Sequence, residues 1–243
     1  MRLIGVGMGP GDPELVTVKA VRVLREADVV LVPVMETGET GRAEATVRHH
    51  LGDDSRIRRV VFALNDRGGV TRRRAAAWDR AAQAVREAFE AGADTVAFAT
   101  IGDPNVYSTF TYLAQTVREV VPGLAVETVP GITAMQDLAA RSGTVLAEGD
   151  ETVSLVPAVG DPGVLVGGMA YSDTVVFYKC GRHLDLVRQV IEEEGRLHGA
   201  VFGAQLGLPY EDIRPLAEVE TATAPYLSTV IVPARRTGRG GRL

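Results

Sequence analysis

Leu3-Ile4-Gly5-Val6-Gly7-Met8-Gly9-Pro10-Gly11-Asp12-Pro13 opens the chain, and Thr95-Val96-Ala97-Phe98-Ala99-Thr100-Ile101-Gly102-Asp103-Pro104 follows the same plan in the middle. In each, an apolar run of strand type enters a glycine turn. Asp and Pro then supply the N-cap and first position of a helix. Two such corners in one parallel sheet set two backbone-lined turns at its carboxyl edge, where open α/β folds bind small ligands. Glycine lets main-chain N–H and C=O groups approach a ligand, because no Cβ intervenes. The expectation is a small-molecule site built mostly of backbone.

Outward from these corners, Val29 to Val34 and Ile57 to Ala63 also read as strands. Helical patterns cover Pro13 to Glu26, Ala43 to Leu51, Thr71 to Ala91 and Asn105 to about Val120. This βαβα rhythm predicts a mainly parallel sheet covered on both faces. Pro122-Gly123 reads as a boundary, which gives an N-terminal α/β lobe over residues 1–121, followed by a short joining strand, Leu124 to Val129. Beyond it, helix Thr133 to Arg141 precedes strands at Thr152 to Val156, Thr174 to Tyr178, Ala200 to Ala204 and Ser228 to Val232. Helices at about Pro162 to Gly167 and His183 to Glu194 lie between them. Leu216 to Val232 has the texture of antiparallel hairpins, so residues 122–234 read as a mixed α/β lobe. The Arg- and Gly-rich tail 235–243 has no apolar anchor and is expected to be disordered.

The 243 residues, 46% hydrophobic and 23% charged, suffice for a good core. A net charge of −5 argues against nonspecific nucleic-acid binding. No apolar run reaches the roughly 18 residues of a membrane span, and no signal peptide is read at the N-terminus. One cysteine, Cys180, excludes an internal disulfide and suits a reducing cytoplasm. Lys19 and Lys179 are the only lysines; the remaining cations are arginines, which hold carboxylates through paired hydrogen bonds.

Competing motifs fail on spacing. The nicotinamide fingerprint needs glycine at its sixth place, but Pro10 or Asp12 stands there in the two possible registers. Without those glycines, Glu36 after the second strand is a weak ribose ligand. No Lys-Ser or Lys-Thr follows either loop, so a P-loop is absent. His49 and His50 point about 100° apart on a helix and read as surface histidines rather than metal ligands. His183 reads as a helix start, Cys180 as a packed thiol, and Trp78 as a core or dimer contact. One Gly-Asp-Pro could be capping chemistry alone. The second copy, with Val129-Pro130-Gly131-Ile132-Thr133-Ala134 as a third glycine loop, favours a ligand cleft.

Together these segments resemble the tetrapyrrole methyltransferases, over essentially residues 2 to 232. Within that family, Gly102-Asp103-Pro104-Asn105-Val106-Tyr107-Ser108-Thr109-Phe110-Thr111-Tyr112-Leu113 is similar to the enzymes that methylate C20 of precorrin-2. Glu148 to Thr152, Tyr178 to Arg182 and Tyr226 to Val232 agree. Asn105-Val106 departs from the bulkier apolar pair of that subgroup. The resemblance implies two α/β lobes with S-adenosylmethionine in the cleft between them, S-adenosylhomocysteine as product, and a homodimer. It implies cofactor contacts from Pro10, from Ile101, Gly102, Asp103 and Val106, and from Thr133 and Ala134. Lys179, Cys180, Gln205 and Leu206 would complete the pocket from the second lobe.

Methyl transfer from a sulfonium to a nucleophilic carbon needs alignment more than acid–base machinery, which agrees with the absence of a catalytic triad or paired carboxylates. A base must still take the C20 proton; Tyr107 and Asp103 lie in the right loop, with Asp103 also a candidate helix cap. The carboxylate-rich tetrapyrrole needs cations. Arg67, Arg72, Arg73 and Arg74 open a helix, where cations oppose the dipole unless an anion is near; Arg182 is another candidate. The alternatives are cobalt-factor II as substrate, another ring carbon, a ribosomal-RNA ribose methylase, a nicotinamide-dependent dehydrogenase, or a tetrapyrrole carrier.

Overall fold

A computed structural model describes residues 1–35, 40–63 and 69–238. The chain divides into two compact units, Met1–Thr133 and Ala134–Leu243.

In the first unit, β1 (Arg2–Gly7), β2 (Val29–Val34), β3 (Ile57–Val61), β4 (Thr95–Thr100) and β5 (Ala125–Val129) form one sheet in the order β3-β2-β4-β1-β5. Every neighbouring pair is parallel. The inner strands are apolar on both faces and alternate cleanly. Leu3, Leu31, Val96 and Phe98 face α3 (Arg72–Glu90) and α4 (Phe110–Val120). Ile4, Val6, Val30, Val32, Ala97 and Ala99 face α1 (Val18–Glu26) and α2 (Arg42–Leu51). On α2, the fully buried Glu44 carboxylate accepts hydrogen bonds from Arg48 (2.8 Å) and from Arg59 of β3 (2.7 and 2.9 Å). Burial alone would raise its pKa, but the two guanidinium groups outweigh that and hold it below the ordinary value.

The second unit holds β6 (Val153–Pro157), β7 (Thr174–Tyr178), β8 (Val201–Ala204), β9 (Asp212–Pro215) and β10 (Ser228–Val232) in the order β6-β7-β10-β8-β9. β6 and β7 are parallel, β10 is antiparallel to β7 and β8, and β8 is antiparallel to β9. The sheet is therefore mixed. α6 (Pro162–Ala170) and α7 (Leu184–Glu193) cover one face over Val175, Phe177 and Val230. α5 (Ala134–Ser142) covers the other over Val176 and Ile231.

Four expectations change. The boundary falls after Thr133, not at Pro122-Gly123, because the joining strand pairs with β1 and belongs to the first sheet. The helix read over Pro13 to Glu26 is two pieces. Asp12 caps a single turn, Pro13–Leu15, and Thr17 then caps α1 by accepting the Ala20 N–H. Leu216 to Val232 forms no hairpins of its own, since β10 pairs with β7 and β8. Finally, the described part of the tail is anchored. Arg235 donates to the Glu194 and Gly195 carbonyls (both 2.9 Å), and Arg236 binds Glu151 (3.0 Å) and the Val145 carbonyl. Residues 239–243 lie outside the described residues.

Candidate active site

The carboxyl ends of β4, β1 and β5 are adjacent, so their three glycine loops meet at one edge of the first sheet. Main-chain hydrogen bonds join the first two: Met8 N–H donates to Thr100 O (2.8 Å) and Gly102 N–H to Gly9 O (2.7 Å). The third loop presses against both. A Cβ on Gly131 would stand 2.1 Å from Gly102 O, and one on Gly7 2.5 Å from Gly131 N. These two glycines therefore use their missing Cβ to let the loops touch each other, not to admit a ligand. Gly102 is different. It is left-handed (φ +67°), and a Cβ there would meet nothing within 4 Å, so the space beside it is open.

Asp103 is not the helix cap expected of it. Its Oδ1 accepts the Asn105 N–H (2.8 Å) and its Oδ2 the Gly131 N–H (3.0 Å), which ties the second loop to the third. With both oxygens held by main chain, it is placed to brace the loops rather than to take a proton. α4 starts only at Phe110, because Tyr107 is left-handed (φ +51°) and interrupts the helix predicted from Asn105. Ser108 Oγ accepts the Phe110 N–H (3.1 Å) and lies 3.0 Å from Thr100 Oγ1, a role the sequence signal did not expose. Tyr107 itself is exposed beside these loops.

In the second unit, β6, β7 and β8 run the same way, so their carboxyl ends share an edge. Lys179 follows β7 and Gln205 follows β8, and both are left-handed (φ +61° and +53°). Left-handed geometry costs a side-chain-bearing residue about 1–2 kcal/mol and persists where the surroundings demand it. Gln205 N–H donates to Leu227 O (3.0 Å), joining this turn to the entry of β10.

The family model of the Tetrapyrrole (Corrin/Porphyrin) Methylases matches residues 2–220. The chain belongs to that family. A precorrin-2 C(20)-methyltransferase of Sinorhizobium sp is 35% identical over 96% of this chain and 95% of its own. A cobalt-precorrin-2 C(20)-methyltransferase of Salmonella typhimurium is 29% identical over 95% of each. Among solved structures, the methyltransferase CobJ shares the fold with a TM-score of 0.68 at 21% identity, over 98% of this chain and 97% of the other. A uroporphyrin-III C-methyl transferase of Thermus thermophilus, complexed with S-adenyl homocysteine, aligns with a TM-score of 0.64 at 25% identity, covering 95% and 97%.

Within this tetrapyrrole methylase, Pro10, Ile101, Gly102, Asp103, Val106 and Thr133 all lie on the three loops of the first unit, and Ala134 opens α5 of the second. Lys179, Cys180, Gln205 and Leu206 lie at the carboxyl edge of the second sheet. The Cys180 thiol does not face a ligand. It is fully buried, donates to Phe177 O (3.2 Å), and burial pushes its pKa up to about 12. Only its main chain is available. Arg72 and Arg73 are exposed at the start of α3, and Arg74 reaches back to Gly69 O (2.5 Å). Thr71 caps this helix by accepting the Arg74 N–H (3.0 Å). Arg182 is exposed beside Gly181. Arg67 and Glu36 lie outside the described residues. Trp78 stacks on Tyr112, with ring centroids 4.6 Å apart and planes 11° from parallel. His50 Nε2 lies 3.0 Å from Pro13 O, so this histidine is a packing contact.

Proposed function

We propose that the protein transfers one methyl group from S-adenosylmethionine to C20 of precorrin-2, giving precorrin-3A on the route to cobalamin. The observation that carries this reading is the braced triple-loop edge of the first sheet, in a chain 35% identical to a precorrin-2 C(20)-methyltransferase over nearly its whole length. The open space beside Gly102 leaves room for the methyl donor against this loop. S-adenosylmethionine, when bound, supplies an electrophilic methyl group on a sulfonium.

The chain's own work is then positional. Asp103 holds the second and third loops in register, and Ser108 fixes the entry to α4 behind them. Such alignment supplies on the order of 7–11 kcal/mol in favourable cases, which is why these loops need no catalytic triad. Tyr107 is the candidate for receiving the C20 proton, since it is exposed at the same edge. Arg72, Arg73 and Arg182 are candidates to meet substrate carboxylates. The reading places the enzyme in the cytoplasm as a homodimer.

The Salmonella relative favours one second reading, in which the ring already carries cobalt. Incubation with methyl-labelled S-adenosylmethionine and metal-free precorrin-2, followed by mass and NMR analysis, separates the two. One label at C20 is the expected result. No transfer, with S-adenosylhomocysteine still bound, moves the substrate to the cobalt form or the reaction to another ring carbon. Loss of cofactor binding as well sinks the reading.

A further inference from the structure

Among the described residues, four that are not glycine have a left-handed φ: Tyr107, Lys179, Gln205 and Tyr210. Lys179 and Gln205 stand at positions that the family resemblance assigns to the site, and Tyr107 is the candidate base. The fourth, at φ +69°, has no assigned role. A bulky aromatic in this region is a true outlier, whereas glycine or asparagine would adopt it cheaply. Tyr210 does not repay that strain by packing, for 91% of its surface is exposed.

The loop around it is firmly held. Leu208 N–H donates to Gln205 O (3.0 Å), and Glu211 N–H to Leu208 O (3.2 Å). The Glu211 carboxylate accepts the Gly207 N–H (2.7 Å) and forms a two-point ion pair with Arg141 of α5. The loop leaves β8 at the carboxyl edge that also carries Lys179 and Gln205. A braced turn thus presents one aromatic ring to solvent, at a conformational cost, beside the candidate ligand residues of the second unit.

We infer that Tyr210 is a substrate-contact residue whose ring stacks on the conjugated part of the tetrapyrrole. This rests on the tetrapyrrole methyltransferase reading. A planar π system is the ligand chemistry such a ring recognises, by offset stacking or edge contact.

The test compares Tyr210→Asn and Tyr210→Phe with the native enzyme. Tyr210→Asn removes the ring and relieves the strain. It is expected to raise KM for precorrin-2 about tenfold, the size of a lost aromatic contact, with kcat, S-adenosylhomocysteine affinity and subunit assembly unchanged and a Tm no lower. Tyr210→Phe keeps the ring and is expected to keep the native KM. Unchanged KM in Tyr210→Asn overturns the inference. So does an equal rise in Tyr210→Phe, which would make the contact a hydroxyl hydrogen bond, or a loss of assembly, which would make it an interface residue. Absorbance titration with the stable oxidised form of precorrin-2 supplies a readout without turnover. If the native enzyme binds that ring but does not methylate precorrin-2, the metal-free precorrin-2 reading fails, and weaker binding by Tyr210→Asn still upholds the contact. If the native enzyme methylates C20 and Tyr210→Asn binds the ring equally well, the contact fails alone.

Discussion

Asp103 and the glycines around it carry most of what single residues decide here. Asp103→Ala removes a buried carboxylate that accepts two main-chain N–H groups. We expect a stability loss of about 1.5–3 kcal/mol, the range for hydrogen bonds to charged groups. We also expect at least a tenfold fall in S-adenosylhomocysteine affinity by calorimetry, with Asp103→Asn intermediate because one oxygen remains. Undiminished affinity in Asp103→Ala would show that the brace is not part of the site. Gly131 and Gly102 should separate folding from binding. Alanine at Gly131 drives a methyl into the Gly102 carbonyl, so destabilisation of about 3 kcal/mol or more is expected. Alanine at Gly102 clashes with nothing and costs only about 1–2 kcal/mol of left-handed strain. It should fold but crowd the space read as the donor's. Urea unfolding alongside ligand titration distinguishes them, and a Gly102→Ala protein that binds normally would put the donor elsewhere.

Secondary-structure elements were legible wherever local chemistry agreed with the tertiary context. β2, β4, β7 and β10 lie where their apolar runs placed them, since a strand buried on both faces has a pattern that needs no partner to be recognised. The helix expected from Asn105 does not form there, because Tyr107 is left-handed and α4 starts only at Phe110, while Asp103 also ties the loop to Gly131. Glu44 on α2 is a further element-scale device, joining that helix to β3 through Arg48 and Arg59. Glu44→Gln removes the charge that both guanidinium groups share, although Arg48 keeps Asp53 and both arginines reach solvent, and should cost about 1.5–3 kcal/mol near neutral pH. The native carboxyl titrates below its ordinary value of 4.5, so its stabilisation is full above that value and is lost as the pH falls through the lowered one. The gap in urea midpoint between native and variant should therefore hold near neutral pH and shrink as the pH falls below 4.5. A gap that is constant across that range would mean that the charge on Glu44 contributes nothing.

For the whole molecule, Cys180 is a built-in reporter. Its thiol is fully buried in the second unit and pushed up to about 12, so neither access nor ionisation favours reaction. A thiol reagent near pH 8 should leave the folded protein unlabelled, and labelling should track the urea transition of that unit. Fast labelling without denaturant would show that the β7 end opens in the native state. The two units have separate cores, and the division falls after Thr133 because β5 completes the first sheet. A Pro-Gly pair marks a turn in the chain, not the edge of a domain.

By itself, the sequence determined the α/β class, the two sheets' general character, the three glycine loops and the family. All of these follow from local periodicity, or from motifs short enough to be read along the chain. Only the tertiary structure decided which of the loop glycines serve packing and which faces open space. It alone turned Asp103 from a cap into a brace, sent the Cys180 thiol into the core, and exposed Tyr210 in a left-handed turn. Such outcomes turn on partners remote in the sequence, as with Gly131 against Gly7 or Asp103 against Gly131. Residue order constrains such distant encounters only through the fold that brings them about.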